Sequence, residues 1–210
     1  MRLHRLALVF AVGALAVAVP TAMAGAGGAA HQARLAPVPH DMTASGNSHA
    51  TAIATLVREG DYVIARIHVE GAAPGLPHAQ HIHGPGLHMC PTIARDVNHD
   101  GLISTLEGAP DYGPVVVSLT TSGDTSPGST LAVTRFPVAD SHGSYSYMRK
   151  LHVPDEISQN IADNLDQFHI VVHGIDTNHN GAYDFSKGPS DLDPTLPEEA
   201  TVPAACGLIR

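Results

Sequence analysis

Motifs that would point directly to an enzyme class are missing from this sequence. It has no Gly-x-Ser-x-Gly nucleophile motif, no glycine-rich phosphate loop followed by lysine, and no His-Glu-x-x-His metalloprotease motif. Serine-triad and thiol chemistry therefore have no support, and any function has to be argued from other residues.

Basic residues are also scarce. The chain has 11 lysine and arginine residues against 20 aspartate and glutamate residues, which gives a formal net charge of −9. Two of the arginines lie in residues 1–24, so the rest of the chain has nine basic and 20 acidic residues and a charge of −11. Because an acidic chain repels a phosphate backbone, a nucleic-acid partner is disfavoured.

Long apolar stretches are limited to the N-terminus. Residues 6–19 are apolar, follow Arg2 and Arg5, and precede an Ala-x-Ala sequence ending at Ala24. This pattern is typical of a cleaved export signal, and the run is too short to span a bilayer comfortably. We expect residues 1–24 to be removed and the mature protein to be secreted, with no membrane attachment. A retained signal anchor is the alternative.

Large side chains are rare in residues 25–47, which are mostly small residues and proline. Such a composition cannot bury enough surface to become ordered, so we expect a flexible leader. Residues 48–210 have the length of one domain that can enclose its own core.

Cysteine is nearly absent. Cys90 and Cys206 are the only two in the chain. In an exported protein an even pair is expected to form a disulfide, which for so long a loop adds about 4 to 5 kcal/mol in the chain-entropy model.

The sequence does contain many short segments in which apolar and polar residues alternate. Residues 49–59 and 62–69 alternate on either side of Gly60 and Asp61, which predicts a β-hairpin. Further strands are predicted at residues 81–84, 115–121, 131–137, 144–152 and 168–174. One short helix is predicted over residues 154–165, where Ile157, Ile161 and Leu165 are four apart. This pattern favours an all-β antiparallel sandwich or barrel.

Histidine is abundant, with 15 residues. His81 and His83 are two apart, and His169 and His173 are four apart, so each pair shares one face of its predicted strand. Neutral imidazoles that converge on one point suit copper or zinc. If the two strands are neighbours, these side chains predict a metal site.

The most specific spacing in the chain matches a calcium-binding loop. Oxygen donors fall at positions 1, 3, 5, 9 and 12 of the twelve-residue pattern, with glycine at position 6 and a backbone carbonyl at position 7. The predicted ligands are Asp96, Asn98, Asp100, Leu102, Ser104 and Glu107. Pro91 and Pro110 argue against flanking EF-hand helices, so we expect the loop to lie between strands. An acidic solvated turn is the alternative.

A weaker copy of the same loop follows later in the chain. Its predicted ligands are Asp176, Asn178, Asn180, Ala182 and Asp184. Asparagine replaces one acid, and Lys187 stands where the closing glutamate belongs. A turn stabilised by Asx hydrogen bonds is the alternative.

Four segments, in order along the chain, resemble motifs of the copper/zinc superoxide dismutases. Residues 75–84 (Gly-Leu-Pro-His-Ala-Gln-His-Ile-His-Gly) resemble the first copper-ligand motif, and residues 170–176 (Ile-Val-Val-His-Gly-Ile-Asp) the segment of the late copper histidine. Residues 138–146 are similar to the Ala-Asp-x-x-Gly hairpin and residues 205–209 to the segment of the last cysteine.

The resemblance implies an eight-stranded Greek-key sandwich with an internal disulfide between Cys90 and Cys206. It implies copper bound by His81, His83 and His173. We keep two additional candidate ligands, His169 and His78. Such a centre would dismute superoxide to dioxygen and hydrogen peroxide, with copper cycling between two oxidation states.

Two departures from that family bear on catalysis. Its zinc loop has no counterpart between Cys90 and Val115, so zinc binding is unassigned. The metal-bridging histidine is replaced by His99, by His88 or by no residue. The arginine that the family places before the last cysteine to guide superoxide is here Pro203. An acidic protein without that cation should attract an anionic substrate poorly.

Three functions therefore stay open. The first is a copper-dependent superoxide dismutase. The second is a secreted, calcium-stabilised binding module without enzymatic activity, similar to the chordin-type repeat domains that share a His-x-His-Gly motif. The third is extracellular copper or zinc sequestration. The sequence does not indicate the oligomeric state or a protein partner.

Overall fold

A computed structural model describes residues 30–41, 49–60, 62–152 and 167–210. The predicted export signal at residues 1–24 and the predicted helix at 154–165 lie outside these residues. Within the described ranges, no helix is long and apolar enough to cross a membrane.

Eight antiparallel strands form one curled sheet and place the chain in the all-β class. The strands are β1 (Ala30–Pro37), β2 (Thr51–Glu59), β3 (Tyr62–Glu70), β4 (Gln80–His83), β5 (Val115–Ser118), β6 (Tyr145–His152), β7 (His169–His173) and β8 (Pro203–Leu208). Their spatial order is β5-β4-β7-β8-β1-β2-β3-β6. The described residues contain two short α-helices, α1 (Thr105–Tyr112) and α2 (Glu198–Thr201).

The alternation in β2 and β3 produces the predicted hairpin. The two strands pair from Thr51 opposite Glu70 to Glu59 opposite Tyr62, and Gly60 takes the positive φ of 58° that the turn requires. Ala52 and Ala54 are buried, while Ile53 between them faces solvent. The prediction of a hairpin is confirmed.

The sheet curls until its two edges approach each other. On β6, the Arg149 guanidinium donates to the Thr120 carbonyl just beyond β5 at 2.8 Å, and the Tyr147 hydroxyl donates to the same carbonyl at 3.2 Å. One core cluster contains Leu56 of β2 and Ile170 of β7. The two halves of the sheet therefore pack face to face on a shared core.

Strands β4 and β7 are buried on both faces. Ile82 and Ile170 point into the main core, whereas Val171 belongs to a second cluster with Ile103 and Tyr112. The second cluster lies under α1 and the loop before it. Cys90 and Cys206 form the predicted disulfide, with an S–S distance of 2.00 Å, and both pack against this cluster.

The prediction of a flexible leader over residues 25–47 is wrong for Ala30–Pro37, which is strand β1. It pairs with β2 along most of its length and with β8 at its end. Its only large buried side chain is Leu35, with Ala33 beside it. β1 is therefore ordered by backbone pairing to β2 and β8, which a composition poor in large apolar residues does not reveal.

The predicted strand at residues 131–137 is wrong. These residues form a turn with a 3₁₀ segment, Val133–Arg135.

The expectation that no helix flanks the first calcium-type loop is also wrong. The loop does not run directly into a strand, because its last residues begin α1. Ser104 caps α1, with its hydroxyl accepting from the Glu107 amide and the Glu107 carboxylate accepting from the Ser104 amide.

Candidate metal centre

Three histidines on adjacent strands converge on one point. His81 and His83 extend from β4 and His173 ends β7, and one nitrogen from each lies within 4.8 Å of the others. β4 and β7 pair directly, with His81 opposite Val171, so these imidazoles lie on the side of the sheet away from the main core. Among the described residues, this is the one group of three potential ligands that lie so close together.

Each imidazole is held by a backbone carbonyl through one nitrogen. The pairs are His81 Nε2 with Thr130 O at 3.1 Å, His83 Nδ1 with Gly113 O at 2.9 Å, and His173 Nδ1 with Thr201 O at 2.6 Å. A carbonyl oxygen only accepts, so each of these nitrogens carries the proton. The opposite nitrogen of each neutral ring therefore presents a lone pair.

These three opposite nitrogens are His81 Nδ1, His83 Nε2 and His173 Nε2. All are buried, and none has a hydrogen-bond partner in the described part of the chain. A buried polar atom without a partner destabilises a protein by about 1 to 3 kcal/mol, so three at one point need a common explanation. A bound metal ion supplies one, because it would accept all three lone pairs.

Burial keeps the three rings neutral. It lowers the pKa of His83 to about 3, with the neighbouring His173 as a further cause. Burial also lowers the pKa of His173 to about 4, and that of His81 falls well below its usual value through burial and repulsion from the other two rings. Neutral imidazole is the metal-binding form, so protons compete weakly with a metal here near neutral pH.

The two additional candidate ligands lie outside this group. Both nitrogens of His78 face carbonyls, those of Ala73 and His173, each at 3.0 Å, so His78 braces the backbone of a ligand. His169 is fully buried opposite His83, and neither of its nitrogens has a partner among the described residues. Residues four apart on a strand are separated by about 13 Å, so His169 cannot share a point with His173.

The two candidates for a bridging histidine do not reach the centre either. His88 and His99 are both exposed, and both have positive φ, 60° and 61°. His40, which sequence reasoning overlooked, has a structural role: it accepts from the Ile103 amide at 3.0 Å and donates to the Pro203 carbonyl at 2.7 Å. It thereby ties the first calcium-type loop to β8.

The first calcium-type loop has an ordered internal hydrogen-bond pattern. The Asp96 carboxylate accepts from the Asp100 amide at 3.2 Å and the Gly101 amide at 3.0 Å. The Glu107 carboxylate accepts from the Val97 amide at 3.0 Å and the Ser104 amide at 2.9 Å. The carboxylates at positions 1 and 12 of the pattern therefore both bind backbone amides of the loop.

The second loop repeats this pattern with a glutamate from elsewhere in the chain. The Asp176 carboxylate accepts from the Asn180 amide at 3.2 Å and the Gly181 amide at 2.8 Å, as Asp96 does in the first loop. Glu199 of α2 accepts from the Thr177 amide at 2.9 Å and the Asp184 amide at 2.8 Å. These are the amides of loop positions 2 and 9, the same two that Glu107 holds.

Glu199 therefore takes the place in space that the pattern gives to position 12. Lys187, which occupies that position in the sequence, lies instead in the 3₁₀ segment Phe185–Lys187. No local sequence signal could have found Glu199, because it follows the start of the loop at Asp176 only after a long connection.

The three histidines also line a pocket of about 380 Å³. Its other walls come from α1, the start of β5, residues 127–133 and α2. The candidate centre therefore combines three metal-binding nitrogens with space for a small molecule beside them. In comparisons with known proteins, no family model matches the chain and no curated protein is significantly similar to it in sequence.

Proposed function

We propose that this chain is an exported copper-binding protein of the superoxide dismutase-like superfamily, with copper held by His81, His83 and His173. The observation that carries the proposal is the convergence of three buried imidazole nitrogens that have no other partner in the described structure. Each ring is already oriented by a carbonyl, so a metal would meet a site that needs little rearrangement.

Copper fits this donor set better than the other common metals. Imidazole nitrogen suits copper and zinc, whereas calcium and magnesium take oxygen ligands. Copper(II) leads the affinity order of the divalent first-row metals at a given nitrogen site. Zinc is the competing occupant, and the titration below compares the two.

The topology supports the superfamily assignment. β4 pairs with β5 on one side and, after a long connection, with β7 on the other. A strand that returns by a long connection to lie beside the first of its group is typical of a Greek key. The disulfide between Cys90 and Cys206 also agrees with the resemblance.

Copper would supply one-electron redox chemistry, and dismutation of superoxide is the activity that the resemblance implies. The chain's own residues account for the binding part: three rings donate, three carbonyls orient them, and the pocket keeps one side of the centre accessible. We propose metal binding as the function that the geometry supports best and treat dismutation as a separate prediction.

We also propose that calcium occupies the first loop and stabilises α1, with the ligands Asp96, Asn98, Asp100, Leu102, Ser104 and Glu107. The second loop would bind more weakly through Asp176, Asn178, Asn180, Ala182 and Asp184. What supports the pair is that Glu107 and Glu199 hold equivalent backbone amides in the two loops. The first loop contributes Thr105 and Leu106 to the pocket lining, so a rigid first loop would help to keep the centre in place.

Metal analysis of the mature protein, purified without a histidine tag, tests the copper proposal. Calorimetric titration should give about one copper per chain, bound more tightly than zinc. His81→Gln and His173→Gln should remove this binding, while His142→Gln, at an exposed turn, should leave it intact. Equal copper binding by the parent protein and all three variants would refute the site.

Dismutation is tested separately. A copper-loaded protein that does not accelerate superoxide loss would refute dismutation alone.

A further inference from the structure

The pocket in front of the three imidazoles is apolar. Large apolar and aromatic side chains from α1, β5 and the turn at residues 131–137 line it. They are Leu106, Tyr112, Val115, Leu131 and Val133, together with Leu192. Apart from the histidines, the polar side chains that line it are three threonines and the tyrosine. Among the described lining residues there is no charged side chain.

The threonine and tyrosine hydroxyls are already engaged within the protein. Thr105 Oγ1 donates to the Thr201 carbonyl at 2.6 Å, and Thr130 Oγ1 donates to the Pro127 carbonyl at 2.6 Å. Thr201 Oγ1 hydrogen-bonds Ser190 Oγ at 2.7 Å, and the Tyr112 hydroxyl donates to the Thr105 carbonyl at 3.0 Å. In the described pocket, the hydroxyl groups are therefore not free to donate a hydrogen bond to a ligand. The polar groups left for a ligand are the imidazole nitrogens and the metal that they would bind.

This lining discriminates between ligand classes. An anion that enters loses its hydration and meets no charged side chain and no free hydroxyl donor in the described lining, so only the metal itself could compensate its charge. An apolar group gains from each unit of area removed from water. The volume of about 380 Å³ falls at the small end of the range for small-molecule pockets.

We infer that the centre takes an uncharged small molecule with one donor atom for the metal and an aromatic or aliphatic body that fills the pocket. The inference rests on the proposed function, because the donor atom binds the metal that His81, His83 and His173 hold. It assigns the site a different ligand class from superoxide, a small anion that would leave most of the pocket unfilled.

Competing ligands for the copper-loaded mature protein test this inference. At pH 8, we would follow the visible and electron paramagnetic resonance spectra of the copper while adding imidazole, 4-phenylimidazole or azide. Imidazole and 4-phenylimidazole present the same donor atom and differ by one apolar ring, so their comparison isolates the pocket. We expect 4-phenylimidazole to bind at least tenfold more tightly than imidazole and more tightly than azide.

Two variants locate the effect. Leu131→Lys places a cation in the lining and should raise azide affinity while lowering that for 4-phenylimidazole. Val133→Ala enlarges the pocket without charge and should lower the 4-phenylimidazole affinity alone, so it keeps the test valid if the lysine variant does not fold. Azide binding as tight as 4-phenylimidazole, or equal affinities for the two imidazoles, would overturn the inference. Failure to take up copper at all would overturn the proposed function, and this inference with it.

Discussion

Single backbone carbonyls determine which imidazole nitrogen faces the centre. At Gly113, orienting His83 depends on a backbone conformation that favours glycine. The Gly113 carbonyl accepts from His83 Nδ1 at 2.9 Å, and the φ of Gly113 is 87°. A Cβ at Gly113 would lie 2.7 Å from the Pro85 carbonyl carbon. Only glycine combines this φ with so close an approach.

Gly113→Ala should therefore weaken both stability and metal binding. We expect the free energy of unfolding to fall by about 2 to 4 kcal/mol from backbone strain and crowding. Copper affinity should fall about tenfold because the carbonyl that orients His83 is displaced. Gly128→Ala is the matched control, since a Cβ there would meet only Ser126 Oγ at an ordinary 3.4 Å. Urea unfolding and copper titration measure both effects, and equal behaviour of the two variants would contradict the role of Gly113.

Glu198 is a buried carboxyl that opposes folding near neutral pH. Burial, and then the charge of Asp191, raise the pKa of Glu198 to about 7, and its Oε1 has no partner within the described residues. The folded protein thus retains a proton that the unfolded chain loses at lower pH. Below the pKa that Glu198 has in the unfolded chain, its carboxyl is neutral in both states and does not oppose folding. As pH rises from there through about 7, the free energy of unfolding falls, because the buried carboxyl must lose its proton.

Glu198→Gln should remove this loss, because glutamine stays neutral. We expect the variant to be more stable than the parent by about 1 to 3 kcal/mol at pH 8, with the gain shrinking towards pH 4.5. Glu59→Gln, at the exposed end of β2, is the control and should not make the protein more stable at pH 8. Urea unfolding over this pH range measures it, and a gain that grew at lower pH would contradict the assignment.

Among the elements, α1 connects the first calcium-type loop to the candidate metal centre. It begins at Thr105, inside the loop pattern, and its Tyr112 packs against the His83 ring with centroids 4.7 Å apart. The Thr201 carbonyl accepts from both Thr105 Oγ1 and His173 Nδ1. The Thr201 carbonyl of α2 thus links the start of α1, which is also the end of the loop, to the candidate metal ligand His173.

Thr105→Val tests this connection. The loss of one buried hydrogen bond should lower the free energy of unfolding by about 1 kcal/mol. Copper affinity should also fall, because the Thr201 carbonyl that orients His173 loses its second donor. Thr121→Val removes an exposed hydroxyl that donates to the Arg135 carbonyl and serves as the control. Unchanged copper affinity in Thr105→Val would show that α1 and the centre are independent.

Calcium should stabilise the protein through the first loop. With calcium at about 100 times its dissociation constant, the free energy of unfolding should rise by about 2.7 kcal/mol. Asp100→Ala should abolish this gain and lower the melting temperature only when calcium is present, as thermal melts with and without a chelator would show. An equal loss in the chelator would refute the loop as a calcium site.

These elements also show how far the sequence alone could predict the structure. The β2–β3 hairpin follows from residue alternation, because strand periodicity is local, whereas the pairing of β4 with β7 joins two strands that are distant in the sequence and was only a condition of the predicted metal site. Helix α1 was missed because Gly108 and Pro110 signal a break, while the capping box at Ser104 and Glu107 was assigned to calcium alone. Glu199 joins its loop only through the tertiary fold, which no local pattern contains.

At the scale of the whole molecule, two properties agree about the ligand. The chain carries a formal charge of −9, and the pocket beside the centre has no charged lining residue in the described structure. The first repels an anion at long range, and the second gives it no cationic side chain at short range, which leaves the metal as the one group that could pair with it. Both favour metal binding with an uncharged ligand over the attraction of superoxide.

The central claim is that His81, His83 and His173 together hold one copper ion. X-ray absorption spectroscopy of the mature protein loaded with one equivalent of copper tests it most directly. The account predicts three imidazole nitrogens at about 2 Å from the metal, reduced to two in His173→Gln if copper is retained. A first shell made mainly of oxygen, or an unchanged spectrum in His173→Gln, would contradict it.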